Sequence, residues 1–230
     1  MEQAIRAFLQ RDLSNRGQVE TVVLCGSYAI GKAGAHSDVD LCYIGPFSGF
    51  QRENVWDGGT EFQLMMAPWS WYEHVVTEYE RKGSNIATIT VMLATGQCLL
   101  GDTERWRHLQ SLAIRSYRDG PNPLSADEIR KIRLRITDLW EDYSDIAEER
   151  ERLWLAMEIV RQCVEAWFKT RRQWAVKTKY ELEQIRTFDA AMATLIEDFL
   201  PDPGSGEQLR DICTYVLQPI GGWMKESWKS

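Results

Sequence analysis

The chain has 230 residues, 44% of them hydrophobic, which is enough to bury a substantial core and excludes disorder as its dominant state. Its formal net charge is −7, and both halves are acidic, so no broad basic surface is available for a nucleic-acid backbone. The five cysteines are scattered, odd in number and lack the paired short spacing of a zinc site, which fits a reduced, soluble, cytoplasmic setting. No apolar run is long enough to cross a bilayer, so no membrane partner is expected.

From the N-terminus, Ile5, Phe8 and Leu9 alternate with Arg6, Arg11 and Asp12 as on an amphipathic helix. Val19 to Cys25 is a β-branched run that reads as a buried strand entering a turn at Gly26-Ser27. A second strand is expected over Val39 to Ile44. Gly45 to Gly59 reads as a loop or loose hairpin. Thr60 to Met66 has the period-2 pattern of a third strand. Pro68 ends it, with Ser70 as a candidate cap for a helix through Trp71, Val75 and Tyr79. Ile86 to Ala94 is expected to be helical, and Gln97 to Leu100 an edge strand.

Asp119-Gly120-Pro121-Asn122-Pro123 breaks periodic structure, which divides the chain into segments 1–118 and 119–230. Beyond it, apolar stripes recur at spacings of three and four: Ile129, Ile132, Ile136, Leu139, Tyr143 and Ile146, then Leu153, Met157, Val160, Val164 and Trp167. A third helical stretch runs from Lys179 to about Leu200, and a last helix follows Pro201-Asp202-Pro203-Gly204 and ends near Gly221-Gly222. The fold class expected is α+β, a small mixed sheet flanked by helices followed by an all-α helical bundle.

Chemistry concentrates in one stretch. Gly26 lets the backbone turn sharply and approach a phosphate, and Ser27 offers a hydroxyl and N–H groups at a helix start. Asp38 and Asp40, two apart on a strand, project from one face. Carboxylates held that close repel unless a cation lies between them, and Mg²⁺ meets that need while bringing a triphosphate with it. Glu61, on the next strand, is the best third carboxylate; Gln63 points the same way without a charge.

This order of an apolar strand, Gly26-Ser27, Asp38-Val39-Asp40-Leu41 and Glu61 resembles the signature of the DNA polymerase β nucleotidyltransferase superfamily. With its helical second half the layout is similar to the kanamycin-type aminoglycoside nucleotidyltransferases. The resemblance implies Asp38, Asp40 and Glu61 as catalytic ligands of two Mg²⁺ ions roughly 3.5–4 Å apart. It implies Gly26 and Ser27 on the triphosphate, with Lys177 and Lys179 as further cationic contacts, Lys179 the stronger candidate. The donor is then ATP or another nucleoside triphosphate, and the acceptor a hydroxyl of a small molecule such as an aminoglycoside-like antibiotic. A carboxylate of the helical domain is implied as general base, with Glu141, Asp142 and Glu165, beside Lys169, as candidates. Relatives that modify a protein or an RNA end, and antitoxin-like nucleotide-binding modules, are the alternatives. The acidic balance disfavours RNA. A homodimer stays open, because kanamycin-type relatives complete their sites across a subunit interface.

The acidic run from Glu141 to Glu151 lies mostly opposite an apolar stripe, as a solvated face does. Helical spacing makes most of Trp140, Trp154, Trp167 and Trp174 core or interface residues. His36, His74 and His108 share no metal-site spacing.

Overall fold

The computed structural model describes residues 1–17, 19–82 and 86–227. The last three residues of the segment 119–230 lie outside the described residues. The chain divides into two compact units, Met1–Gly120 and Pro121–Ser230. Among the described residues no helix is long and apolar enough to cross a membrane.

The first unit begins with helix α1, Glu2–Asn15, and strand β1, Thr21–Cys25, which runs into a single helical turn α2, Gly26–Ala29. Strands β2, Val39–Ile44, β3, Gln51–Asp57, and β4, Thr60–Ala67, follow. Helix α3, Trp69–His74, continues as a π-helical turn over Val75–Tyr79, and then come α4, Thr88–Thr95, β5, Gln97–Leu100, and α5, Glu104–Asp119. The sheet order is β3-β4-β2-β1-β5, with β2 and β4 parallel and the other neighbours antiparallel.

Alternation along the strands gives the sheet two apolar faces. Leu24, Leu41, Tyr43 and Leu64 face α1, where Phe8 stacks on Phe62 with ring centroids 3.9 Å apart. Cys25, Cys42, Ile44 and Met65 face Trp69, Tyr72, Leu93 and Leu109 of the helices on the other side. Arg16 ties α1 to the sheet: its Nε donates to Asp12 at 2.7 Å and Nη2 to Glu53, while the Tyr43 hydroxyl donates to Asp12 at 2.8 Å. Hydrogen bonding to Glu53, and then to Asp12, raises the pKa of the Arg16 guanidinium further against the opposing effect of burial.

Three local expectations are corrected. Gln51–Asp57, inside the stretch read as loop or loose hairpin, is a strand: its charged, mostly exposed sequence shows no apolar alternation because it forms the sheet's edge. Helix α3 starts after Pro68 with no side-chain cap, so Ser70 is inside it. Helix α5, which the segment reading passed over, is capped by Thr103 and buries Trp106, Leu109, Ala113 and Ser116.

The π-helical turn has a mechanical consequence. It carries Glu80, 6% exposed, to the start of α4, where the carboxylate accepts from the Ile89 N–H at 2.7 Å and the Thr90 N–H at 2.8 Å. A carboxylate there meets orphan donors and the positive end of the helix dipole. Glu80→Gln keeps one acceptor oxygen and turns an NH₂ group toward a backbone donor, so it is expected to cost about 1–2 kcal/mol of stability in urea titration.

The second unit is helical: α6, Ala126–Asp145, α7, Glu149–Thr170, α8, Glu181–Phe188, α9, Ala190–Phe199, and α10, Gly206–Leu217. A capping box starts α6, with the Glu128 N–H donating to Ser125 Oγ at 3.3 Å and the Ser125 N–H donating to Glu128 at 2.7 Å. Leu139, Ile159, Trp167, Ile196, Ile212 and Val216 meet in its core. The stretch expected as one helix to Leu200 is two, broken at Asp189, which leaves helical geometry at φ −155° and caps α9. Trp167 and Trp174 are buried and Trp140 packs against the core, in line with the expectation for most of the four, while Trp154 is 82% exposed.

Candidate active site

The candidate site is built where β1 hands over to α2 beside the start of β2. Cys25 is extended, at φ −124° and ψ −173°, and Gly26 turns to φ +64°, in the left-handed region that glycine adopts freely. A second reason fixes glycine here: a Cβ at position 26 would lie 2.0 Å from Oδ2 of Asp40. Asp40 pairs with Cys25 across β1 and β2, so its carboxylate lies directly against the Gly26 backbone. The turn and the acidic strand are thus one packed feature.

The loop between them is closed by short-range bonds. The Lys32 N–H donates to the Ser27 carbonyl at 2.9 Å, the Ser37 N–H to the Gly34 carbonyl at 3.1 Å, and the Gly34 N–H to Ser37 Oγ at 2.9 Å. Gln97 of β5 donates to the Ala29 carbonyl at 2.5 Å, which satisfies the far end of α2. The residue before α2, Cys25, makes no side-chain cap to the turn.

The parallel register of β2 and β4 pairs Val39 with Phe62 and Asp40 with Gln63. Gln63 therefore stands beside Asp40 on the face that Asp38 also uses, and its Nε2 donates to Asp38 Oδ2. Its Oε1 accepts from the Arg52 guanidinium of edge strand β3. Glu61 lies one pleat earlier and accepts from Asn54 Nδ2 of β3 at 2.7 Å. Arg52 and Asn54 fall inside the stretch read as a loop or loose hairpin, and its charged, mostly exposed sequence carries no alternation that would have marked them.

Behind the acids the sheet is uncharged. Cys25 and Cys42 are fully buried with their sulfurs 3.6 Å apart, and this thiol contact, with burial, pushes the Cys25 thiol well above its ordinary pKa. Burial likewise pushes up the Tyr72 hydroxyl, which donates to the Met65 carbonyl at 2.6 Å.

Asp38 and Asp40 fit a hard divalent cation in one specific way. Among the described residues no group of three or more His, Cys, Asp or Glu is gathered as a metal cage. Mg²⁺, however, is commonly held by one or two carboxylates together with substrate phosphates. Asp38 and Asp40, on one face beside the Gly26 turn, are the carboxylates such a set would use.

The remaining sequence candidates lie in the second unit. Lys179 sits in a short 3-10 turn, Thr178–Tyr180, with its ammonium 4.8 Å from the Tyr180 ring centroid. Lys177 precedes that turn. Glu165 is paired with Lys169 at 2.6 Å and Glu141 with Lys225, while Asp142 is exposed on α6.

Comparison with known proteins bears on the first unit. Residues 3–81 match the family model of the nucleotidyltransferase domain. That span contains Gly26, Ser27, Asp38, Asp40, Glu61 and Gln63. A solved structure described as a nucleotidyltransferase-like protein from Exiguobacterium sibiricum 255-15 is similar over 96% of this chain and 74% of its own, at 12% identity and a TM-score of 0.47. A search of the curated proteins finds no sequence match.

Proposed function

We propose that this protein transfers a nucleoside monophosphate, AMP from ATP first among the candidates, onto a hydroxyl of a small polar acceptor of the aminoglycoside-like class. The observation that carries the reading is the contact of the Asp40 carboxylate with the Gly26 backbone, within a span that matches the nucleotidyltransferase domain. A turn that can approach phosphate oxygens and an acid that can bind Mg²⁺ are useful together only if one ligand needs both.

In this reading Asp38 and Asp40 hold Mg²⁺, Glu61 offers a further carboxylate from β4, and the N–H groups of Gly26 and Ser27 face the triphosphate. A bound metal pair supplies Lewis-acid stabilisation of the attacking and leaving oxygens of an in-line displacement. The chain's own contribution is positional. Gly26 removes the side chain that would keep the triphosphate from the strand end, and β2 holds both acids on one face. The acceptor oxygen bonds to the α-phosphorus as the bond to pyrophosphate breaks, and the hydroxyl proton is lost to a base or to solvent.

The test is incubation of the full chain with each α-labelled nucleoside triphosphate, Mg²⁺ and a panel of aminoglycosides and other polyols. Label on an acceptor with stoichiometric pyrophosphate, both abolished by EDTA, is the expected result. Absence of any Mg²⁺-dependent triphosphate binding by the wild-type chain would remove the proposal.

A further inference from the structure

The sequence draws attention to charged residues around Asp38 and Asp40, but in the structure the group in contact with Asp38 is an amide. Gln63 Nε2 donates to Asp38 Oδ2, and the Arg52 guanidinium donates to Gln63 Oε1. The strand register explains why these three meet. Gln63 is paired with Asp40 on β2, and Asn54 of β3 is paired with Gln63, so Arg52, one pleat along the same face, reaches Gln63 diagonally.

An unsupported glutamine amide can rotate by a half turn and present either its oxygen or its NH₂ to a neighbour. Oxygen toward Asp38 would set two acceptors against each other. Arg52 has five donors and no acceptor, so it can face only the Gln63 oxygen, which commits the NH₂ group to Asp38. The charge of Arg52 also polarises that amide and strengthens its donation to the carboxylate. One oxygen of Asp38 is held in this way, and its orientation is set before any cation arrives.

We infer that Gln63 is a positioning residue for Asp38 and that Arg52 acts through Gln63, the pair preorganising Asp38 for a divalent cation bound together with a triphosphate. This rests on the proposed function and adds two residues to it. Neither Arg52 nor Gln63 ligates the metal. Partners of this kind typically change metal affinity by about 10–100-fold when removed, because they fix the orientation of the ligand itself.

Mn²⁺ in place of Mg²⁺ allows the inference to be read without turnover. Binding of Mn²⁺ to the full chain is followed by electron paramagnetic resonance in the presence of a non-hydrolysable ATP analogue, for wild type, Gln63→Met, Arg52→Met and Arg52→Lys. Gln63→Met keeps approximate length and removes the donor, and Arg52→Lys retains one N–H for the Gln63 oxygen. The expected result is about tenfold weaker Mn²⁺ binding in Gln63→Met and Arg52→Met and partial recovery in Arg52→Lys. Binding of the analogue in EDTA and the melting temperature are expected to stay at wild-type values, which a merely structural role would not produce. Wild-type Mn²⁺ affinity in both methionine variants would overturn the inference and leave the proposed function standing. A wild-type chain that binds no Mn²⁺ with the analogue would overturn both.

Discussion

Gly26→Ala is expected to lose about 10²-fold of Mg²⁺-dependent transfer although it removes no functional group, because displacing a reacting constellation by about 1 Å costs that much. The added Cβ would lie 2.0 Å from Asp40 Oδ2. One of the two must move, and the backbone at φ +64° also resists any side chain, at a cost of roughly 1–2 kcal/mol. Asp40→Ala is expected to abolish transfer outright. The double variant separates the two effects. With the Asp40 carboxylate gone the clash at position 26 is relieved, so the stability lost by Gly26→Ala is partly regained in the Asp40→Ala background while transfer stays absent. Double-mutant cycles detect such coupling between residues in contact. Transfer by Gly26→Ala at the wild-type rate would break the link between the packed turn and the reaction.

How much of this was legible in the sequence follows from how each feature is encoded. The strands of the sheet interior carry their apolar residues in alternation or in runs, so β1, β2 and β4 stand out, and so does the change to helical periodicity after Pro123. Strand β3 does not, because an edge strand has one hydrogen-bonding side and little apolar burial, and Gln51, Arg52, Glu53 and Asn54 read as a loop or loose hairpin. That omission propagates to the site. Without β3 there is no Arg52 to orient Gln63 and no Asn54 to hold Glu61, so Gln63 is legible as a neighbour of the acids but its role is not. The shared face of Asp38 and Asp40 follows from the period of a strand, whereas the pairing of Asp40 with Gln63 is a matter of register, which only the folded sheet specifies. The contact of Asp40 with Gly26 is of the same kind: the sequence shows a glycine in a turn, and the fold shows which carboxylate would be struck.

Asp189→Ala is expected to destabilise the helical unit by about 3 kcal/mol, because it strips the acceptor from four donors at once and leaves one of them charged. Asp189 sits at the break between α8 and α9. Its Oδ1 accepts from the Tyr215 hydroxyl at 2.7 Å and the Met192 N–H at 3.1 Å. Its Oδ2 accepts from Trp167 Nε1 at 2.8 Å and pairs with Arg171 at 3.2 Å. The indole of Trp167 is fully buried, so its N–H has no water to turn to. Asp189→Asn keeps an acceptor oxygen and a good helix cap, and is expected to cost about 1 kcal/mol. The pH dependence distinguishes charge from shape. Burial alone would raise the carboxyl's pKa, but donation from Trp167, Tyr215 and Met192, with the charge of Arg171, brings it below the ordinary 3.8. A carboxyl depressed in the folded state contributes stability that is fully present above its unfolded value and is lost as pH falls through the folded one. The gap between wild type and Asp189→Asn, measured by urea titration followed by far-ultraviolet circular dichroism, is therefore expected to be constant near neutrality and to narrow only below about pH 4. A gap that opens near pH 7 would point to a different group, and an Asp189→Ala variant within about 1 kcal/mol of wild type would show that the four donors find other partners.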